Sequence, residues 1–330
     1  MRLATMPNGT RDGALVVVSA DGTRAAQVDV APTLLGALER WAEVEPRLRA
    51  LAAQVEAGDI PTTPFSDAEA LAPLPRTWQW LDASAFLEHG KLLSRSLGMP
   101  EIVSPVPLMY QGLSHEFLRP VGDVPFAADD ADIDFEGEYA VILSDVPAGV
   151  SAAEAEAYIV LVTFVNDWSF RGLIGEEMGR KFGFIQAKPA TGAAPLVATV
   201  DELGAGWRDG RVDLALSVRL NGERFGDVPG SEMSYSFGEL IAFAAENRDL
   251  PAGTILGSGT VSSTGYRDVG SACIAERRGI EMLHGSGATT PYLRFGDQVE
   301  MSVDHEGRSL FGRLAQRVAP RAARSGSGAH

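Results

Sequence analysis

Asp132-Ile-Asp-Phe-Glu-Gly-Glu-Tyr-Ala-Val-Ile-Leu143 is the stretch on which the fold turns. Ile133–Leu143 alternates as a β-strand does, which sets Phe135, Tyr139, Val141 and Leu143 on one face and Glu136 and Glu138 together on the other. Two carboxylates about 7 Å apart at the start of an apolar strand repel each other unless something neutralises them. A hard divalent cation with oxygen ligands is the simplest neutraliser. The alternative is a solvated acidic edge.

Downstream, Ser151-Ala-Ala-Glu154 is a capping box and predicts a helix over 151–159. Val160–Val165 then reads as a buried strand, and it runs into Asn166-Asp-Trp-Ser-Phe-Arg171. Asp167 is therefore a third candidate ligand at a strand end, unless it serves with Asn166 in a local turn. Upstream, 82–97 reads as a helix ended by Gly98 and Pro100. Asp82, Phe86, His89, Leu93 and Leu97 share its mostly apolar face, so Asp82 and His89 are expected to point inward together. Asp82 can instead be the helix N-cap, and His89 a satisfied core histidine. An inward imidazole with a carboxylate partner is the usual form of a general base near neutral pH.

The remaining pattern is strand-rich. Leu15–Val18, Leu214–Leu220, Thr254–Val261, Cys273–Arg277, Gln298–Val303 and Leu310–Val318 read as strands, with Asn221-Gly222 as a hairpin turn. Residues 32–57 carry helical spacing, and Ser236–Glu246 is the one clear helix of the second half. Four prolines between 59 and 75 mark a connection. The expected fold is α+β and strand-rich: a small N-terminal α+β domain with its linker at 1–75, a catalytic metal-binding domain at 76–320, and a flexible tail at 321–330.

Among 330 residues, 45% hydrophobic and 22% charged, the net charge is -16. This field disfavours nucleic acid and anionic membranes as partners, and no run approaches the ~20 apolar residues of a membrane span. An anionic substrate would need a local cation. The single cysteine, Cys273, permits no intramolecular disulfide, in keeping with a cytoplasmic location. It reads as a small buried residue. No His-x-x-x-His or Cys-x-x-Cys pair suggests zinc.

In this order, the pieces resemble the fumarylacetoacetate hydrolase family. Glu136-Gly-Glu138 is similar to its Glu-x-Glu motif, Asn166-Asp-Trp-Ser-Phe-Arg171 to its Asn-Asp-x-Ser-x-Arg motif, and Gly259-Thr-Val-Ser262 to its Gly-Thr-[Ile/Val]-Ser motif. Asp82 and His89 keep the family's spacing of ligand and catalytic histidine. Phe-Gly-Phe-Ile-Gln-Ala-Lys-Pro189 and an early Arg-Asp-Gly resemble a bacterial branch, so the likeness covers residues 1–318. The resemblance implies a mixed β-roll catalytic domain and a homodimer. It implies one divalent cation, Mg²⁺ or Ca²⁺ with Mn²⁺ as an alternative, held by Asp82, Glu136, Glu138 and Asp167. His89 would be the base, Glu276 its partner, and Lys188 or Lys181 the oxyanion donor. Tyr110, Arg180, Gly259 and Thr260 would bind substrate. One departure from the family pattern is its substrate arginine, whose position is Gly98; Lys91 or Arg95 can substitute. The implied reaction is hydrolysis of a carbon–carbon bond in a small anionic diketo acid, fumarylacetoacetate first, at the end of aromatic (tyrosine) catabolism. Acylpyruvate hydrolysis, oxaloacetate decarboxylation and a repurposed non-catalytic role are the alternatives.

Overall fold

The computed structural model describes residues 1–285 and 287–322. Of the expected tail, residues 323–330 lie outside the described ones. The frame is a twelve-stranded mixed sheet. Its main path runs Thr63–Pro64, Arg24–Gln27, Ala14–Val18, Arg2–Met6, Leu196–Ala198, Ile159–Asn166, Gly137–Leu143, Ile255–Gly257, Trp80–Ala83, Met109–Gln111. A second, five-stranded sheet orders Glu223–Pro229, Ala215–Leu220, Gln298–Ser302, Leu314–Pro320 and Val121–Phe126. Together they make a strand-rich α+β fold.

The N-terminal strands extend the main sheet directly, since Arg2–Met6 pairs antiparallel with Leu196–Ala198. One core joins Leu3, Val17, Leu34 and Leu48 to Ile142, Leu161, Val197 and Ile255. Each such side chain contributes ~1.5–3 kcal/mol on full burial, so the N-terminal segment is held by the body's own core. A second core lies between the sheets, around Phe135, Phe164, Leu216, Phe237, Val299 and Leu314. No helix among the described residues is long and apolar enough to cross a membrane.

Several local expectations change. Asp82 is not in a helix: Trp80–Ala83 is a fully buried strand, parallel to Ile255–Gly257, and the helix begins at Leu87 and ends at Ser96. Sheet pairing of Trp80 and Leu81 outweighs the capping potential of Asp82. The expected strand Ile133–Leu143 is broken into Ile133–Asp134 and Gly137–Leu143. Gly137 marks the close approach, because a Cβ there would come 2.7 Å from Leu216 Cδ2. Residues 273–277 are not a strand but the start of the helix Ile274–Leu283, and Arg171–Arg180 is a further helix not read from the sequence. The 32–57 segment divides into Leu34–Leu38 and Trp41–Ala57. The Ser151 capping box forms as expected, over a short helix Ala152–Ala155 that tightens to 3₁₀ at Glu156–Tyr158. Asn221 and Gly222, both at positive φ, make the expected hairpin turn.

Candidate metal and acid–base site

The central carboxylates come from three strands of the main sheet or their ends. Asp82 lies opposite Gly257 in the parallel pair, and Glu138 comes from the strand on the other side of Ile255–Gly257. Asp167 follows the last residue of Ile159–Asn166, the next strand along. One oxygen from each of Asp82, Glu138 and Asp167 lies within 4.8 Å of the others, and all three residues are buried. Gly257 makes the convergence sterically possible. A Cβ there would come 2.6 Å from Asp82 Oδ1, 3.0 Å from Glu138 Oε2 and 2.4 Å from Trp80 Cη2.

The electrostatics are those of a cation pocket. Burial, then the charge of Asp167, pushes Asp82 up to about 8. Burial together with Asp82 and Asp167 pushes Glu138 well above the usual carboxylate range. Among the described residues neither buried Glu138 oxygen has a hydrogen-bond partner, an expensive state that a hard cation relieves. Three converging carboxylates, orphaned oxygens and a glycine-cleared space fit a divalent ion with oxygen ligands.

Glu136 has a different environment. Its Oε1 accepts from Arg171 Nη2 at 2.5 Å and its Oε2 from Lys188 Nζ at 2.5 Å. Burial pushes its carboxyl up, but Arg171, Lys188 and His89 win and hold it below the usual range. Lys188 also donates to Asp167 Oδ2 at 2.7 Å. Burial works against its ammonium, yet Asp167 and Glu136 keep it firmly charged. Asp167 is further held by Tyr110 Oη at 2.6 Å and Thr191 Oγ1 at 2.8 Å. Tyr110 lies opposite Asp82 on its own strand and meets Phe184 edge-on.

Beside the carboxylates, His89 Nδ1 lies 3.7 Å from Glu276 Oε1. His89 Nδ1 and Glu276 Oε2 are both buried, and neither has a hydrogen-bond partner among the described residues. The two come from different helices, Leu87–Ser96 and Ile274–Leu283, packed closely at Gly279, where a Cβ would come 2.8 Å from Leu92 Cδ2. Ser262 Oγ donates to Glu276 Oε1.

Of the sequence candidates, Asp82, Glu136, Glu138, Asp167, Lys188 and Tyr110 meet in one connected cluster, with His89 and Glu276 at its side. Arg180 and Lys181 do not join it. Arg180 is exposed and pairs with Glu176, and Lys181 is an exposed helix cap at φ 62°. Helix 171–180, unseen in the sequence, carries both away, so Lys188 is the cation of the three that reaches the acids. Gly259 donates its N–H to Asp82 Oδ1 at 3.2 Å. It also needs its positive φ, 77°, with no room for a Cβ 2.3 Å from Ala83 O. Thr260 is buried next to it. Arg95 pairs with Glu88 on its own helix. Sequence reasoning missed Arg171, Asp134, Thr191, Ser262 and Gln316. Gln316 Oε1 accepts from both Trp168 Nε1 and Asn166 Nδ2, at 2.9 and 3.2 Å.

Residues 79–319 match the fumarylacetoacetate (FAA) hydrolase C-terminal domain, and residues 1–76 match the fumarylacetoacetase N-terminal domain 2. The chain is 27% identical over 173 residues to oxaloacetate tautomerase YisK of Bacillus subtilis, covering 52% of this chain and 49% of that protein. It is 24% identical over 253 residues to a fumarylacetoacetase of Caenorhabditis elegans, covering 68% and 58%. The chain thus spans about half the length of the curated relatives it matches first. Maleylpyruvate hydrolase from Sphingobium sp. SYK-6, solved with manganese(II) and pyruvate, shares the fold at TM-score 0.66 and 16% identity, covering 97% of this chain and 100% of that one. The chain belongs to the fumarylacetoacetate hydrolase family.

Proposed function

We propose that this protein hydrolyses a carbon–carbon bond in a small diketo acid, with fumarylacetoacetate the first candidate. The observation that carries the reading is a buried acid triad, Asp82, Glu138 and Asp167, beside an imidazole that faces its own carboxylate. The triad would hold one divalent cation, with Glu136 the fourth candidate ligand if Lys188 releases it. Mg²⁺ and Ca²⁺ suit the oxygen donors; Mn²⁺ accompanies pyruvate in the Sphingobium enzyme. When bound, the cation supplies Lewis-acid charge to the two oxygens of a 1,3-diketone.

Glu276 orients His89, and His89 removes a proton from water. The resulting hydroxide adds to one carbonyl, whose developing oxyanion Lys188 can stabilise with its ammonium. The bond between the carbonyl carbon and its neighbour then breaks. Its electron pair passes to the neighbour as an enolate, which takes up the proton held on His89. Tyr110 keeps Asp167 in place and, with Phe184, lines the approach.

A second reading is keto–enol tautomerisation or decarboxylation of a dicarboxylic keto acid. The likeness to an oxaloacetate tautomerase favours it, and Lys188 and Tyr110 supply the proton-carrying groups such chemistry needs. The exposed apolar residues Leu97, Met99, Ile102 and Val103 support the expected homodimer, which sedimentation tests. The deciding assay follows absorbance of a panel of diketo acids and of oxaloacetate, with and without chelator, and identifies the products. Metal-dependent hydrolytic cleavage into two acids or an acid and a ketone upholds the hydrolase; interconversion without cleavage, or release of carbon dioxide from oxaloacetate, upholds the second reading. A flat trace with bound metal counts against both.

A further inference from the structure

We propose that Asp134 is a positioning residue for the acid–base pair: it fixes Glu276 against His89 by tying the first turn of the Ile274–Leu283 helix to the ion-pair chain Arg171–Glu136–Lys188. The inference rests on the reading of His89 and Glu276 given above.

Asp134 is completely buried and has four donors around its two oxygens. Oδ1 accepts from Phe135 N at 2.8 Å and from Ile274 N at 2.7 Å. Oδ2 accepts from Ala275 N at 2.9 Å and from Arg171 Nε at 2.8 Å. A helix leaves its first N–H groups unpaired, and an anion is stabilised there. The residue at the formal cap is Cys273, whose Sγ takes only the N–H of Glu276, at 3.3 Å. Asp134 thus does the capping that the local sequence cannot do, for the two residues immediately before Glu276.

The other half of the argument is where Arg171 leads. Burial disfavours its guanidinium, but Glu136 and Asp134 together keep it firmly charged. Through Glu136 and Lys188 the chain reaches Asp167. Backbone contacts run in parallel: Gly137 N donates to Ala272 O at 2.9 Å, and Glu136 bridges Cys273. The carboxylate cluster and the helix that carries Glu276 are therefore one connected unit, with Asp134 as its joint. Among the described residues the Glu276 carboxylate has one side-chain hydrogen-bond donor, Ser262, and an Oε2 with none, so its direction depends on the backbone of its helix turn. A displacement of about 1 Å in such a group can cost about 100-fold in rate.

The test is a double-mutant cycle with Asp134→Asn and Glu276→Gln. Asparagine keeps the shape and one acceptor, and removes the charge that Arg171 pairs with. In the wild-type background Asp134→Asn is expected to lower kcat about 10- to 100-fold while KM and calorimetric Mg²⁺ affinity stay within about two-fold. In the Glu276→Gln background it is expected to lower kcat no further. Equal fold-losses in both backgrounds would overturn the proposal and leave Asp134 a purely structural cap. The same cycle is read without turnover from the NMR signals of the His89 ring, assigned by their loss in His89→Gln. They should move on Asp134→Asn only while Glu276 is a carboxylate; movement in both backgrounds, or in neither, refutes the coupling. If wild-type protein turns over no diketo acid, the activity reading fails and the NMR cycle still decides the role of Asp134. Should Asp134→Asn not fold, Arg171→Lys, which keeps the charge and loses the two-pronged contact, is expected to give the same pattern in both readouts, and its failure to do so counts equally against the proposal.

Discussion

The carboxylate of Glu276 faces the imidazole of His89 at 3.7 Å, and the facing Nδ1 has no hydrogen-bond partner among the described residues. That separation is beyond a hydrogen bond and within reach of a small rotation of either side chain, the geometry of a pair that tightens on a substrate. His89→Ala should therefore lower turnover by about 10²- to 10⁴-fold while thermal stability and metal affinity stay near wild type. Glu276→Gln should lose less, because the imidazole remains. Steady-state kinetics with calorimetric metal titration check both.

Glu138 has the strongest claim to a cation, since both its oxygens are orphaned. Glu138→Gln should weaken divalent-ion affinity at least ~100-fold, more than typical losses from outer residues. At high pH, where the wild-type carboxyl is ionised, it should also raise the melting temperature of the metal-free protein, because it removes a buried, repelled charge. Metal titration and calorimetric melting test the two directions together.

The metal-free protein should lose stability as pH rises. Asp82 is raised to about 8 and Glu138 is raised well above the usual carboxylate range. A carboxyl whose folded pKa exceeds its unfolded one binds more protons in the folded state, so its contribution is complete below the unfolded pKa and disappears as pH climbs through the folded one. The melting temperature in chelator should decline from about pH 4 to above pH 8. Saturating Mg²⁺ should remove most of that decline, because the ion replaces the protons. Melting curves across pH, with and without Mg²⁺, read the effect.

Gly257→Ala should disable the site without touching a ligand. Its methyl would strike Asp82 Oδ1, Glu138 Oε2 and Trp80. A destabilisation of ~1–3 kcal/mol and loss of metal binding are expected, measured by urea unfolding and calorimetry.

Much of this site was legible before any coordinates. Glu138 and Asp167 stand out because one begins an apolar strand and the other ends one, and both strands run antiparallel side by side. Asp82 and His89 were legible as a pair but through the wrong element: a strand brings Asp82 and the separate helix Leu87–Ser96 brings His89, where one shared helix was expected. The Ile274–Leu283 helix was hidden because its cap, Asp134, lies 140 residues away from Ile274. Local signals could not contain it, and Cys273 followed by Ile274 reads as strand. Lys188 could not be separated from Arg180 and Lys181, because the unread helix Arg171–Arg180 is what turns those two outward. Gln316 carries no local signal at all; its partners Asn166 and Trp168 meet it only through tertiary pairing.

The central claim is a cation held among three acids from separate strands, and manganese tests it most directly. Crystals grown with Mn²⁺ and measured at the manganese absorption edge should show one strong anomalous peak between the carboxylates of Asp82, Glu138 and Asp167, and none in crystals of Glu138→Gln. A peak located elsewhere, or no peak in protein that binds manganese in solution, would contradict the account.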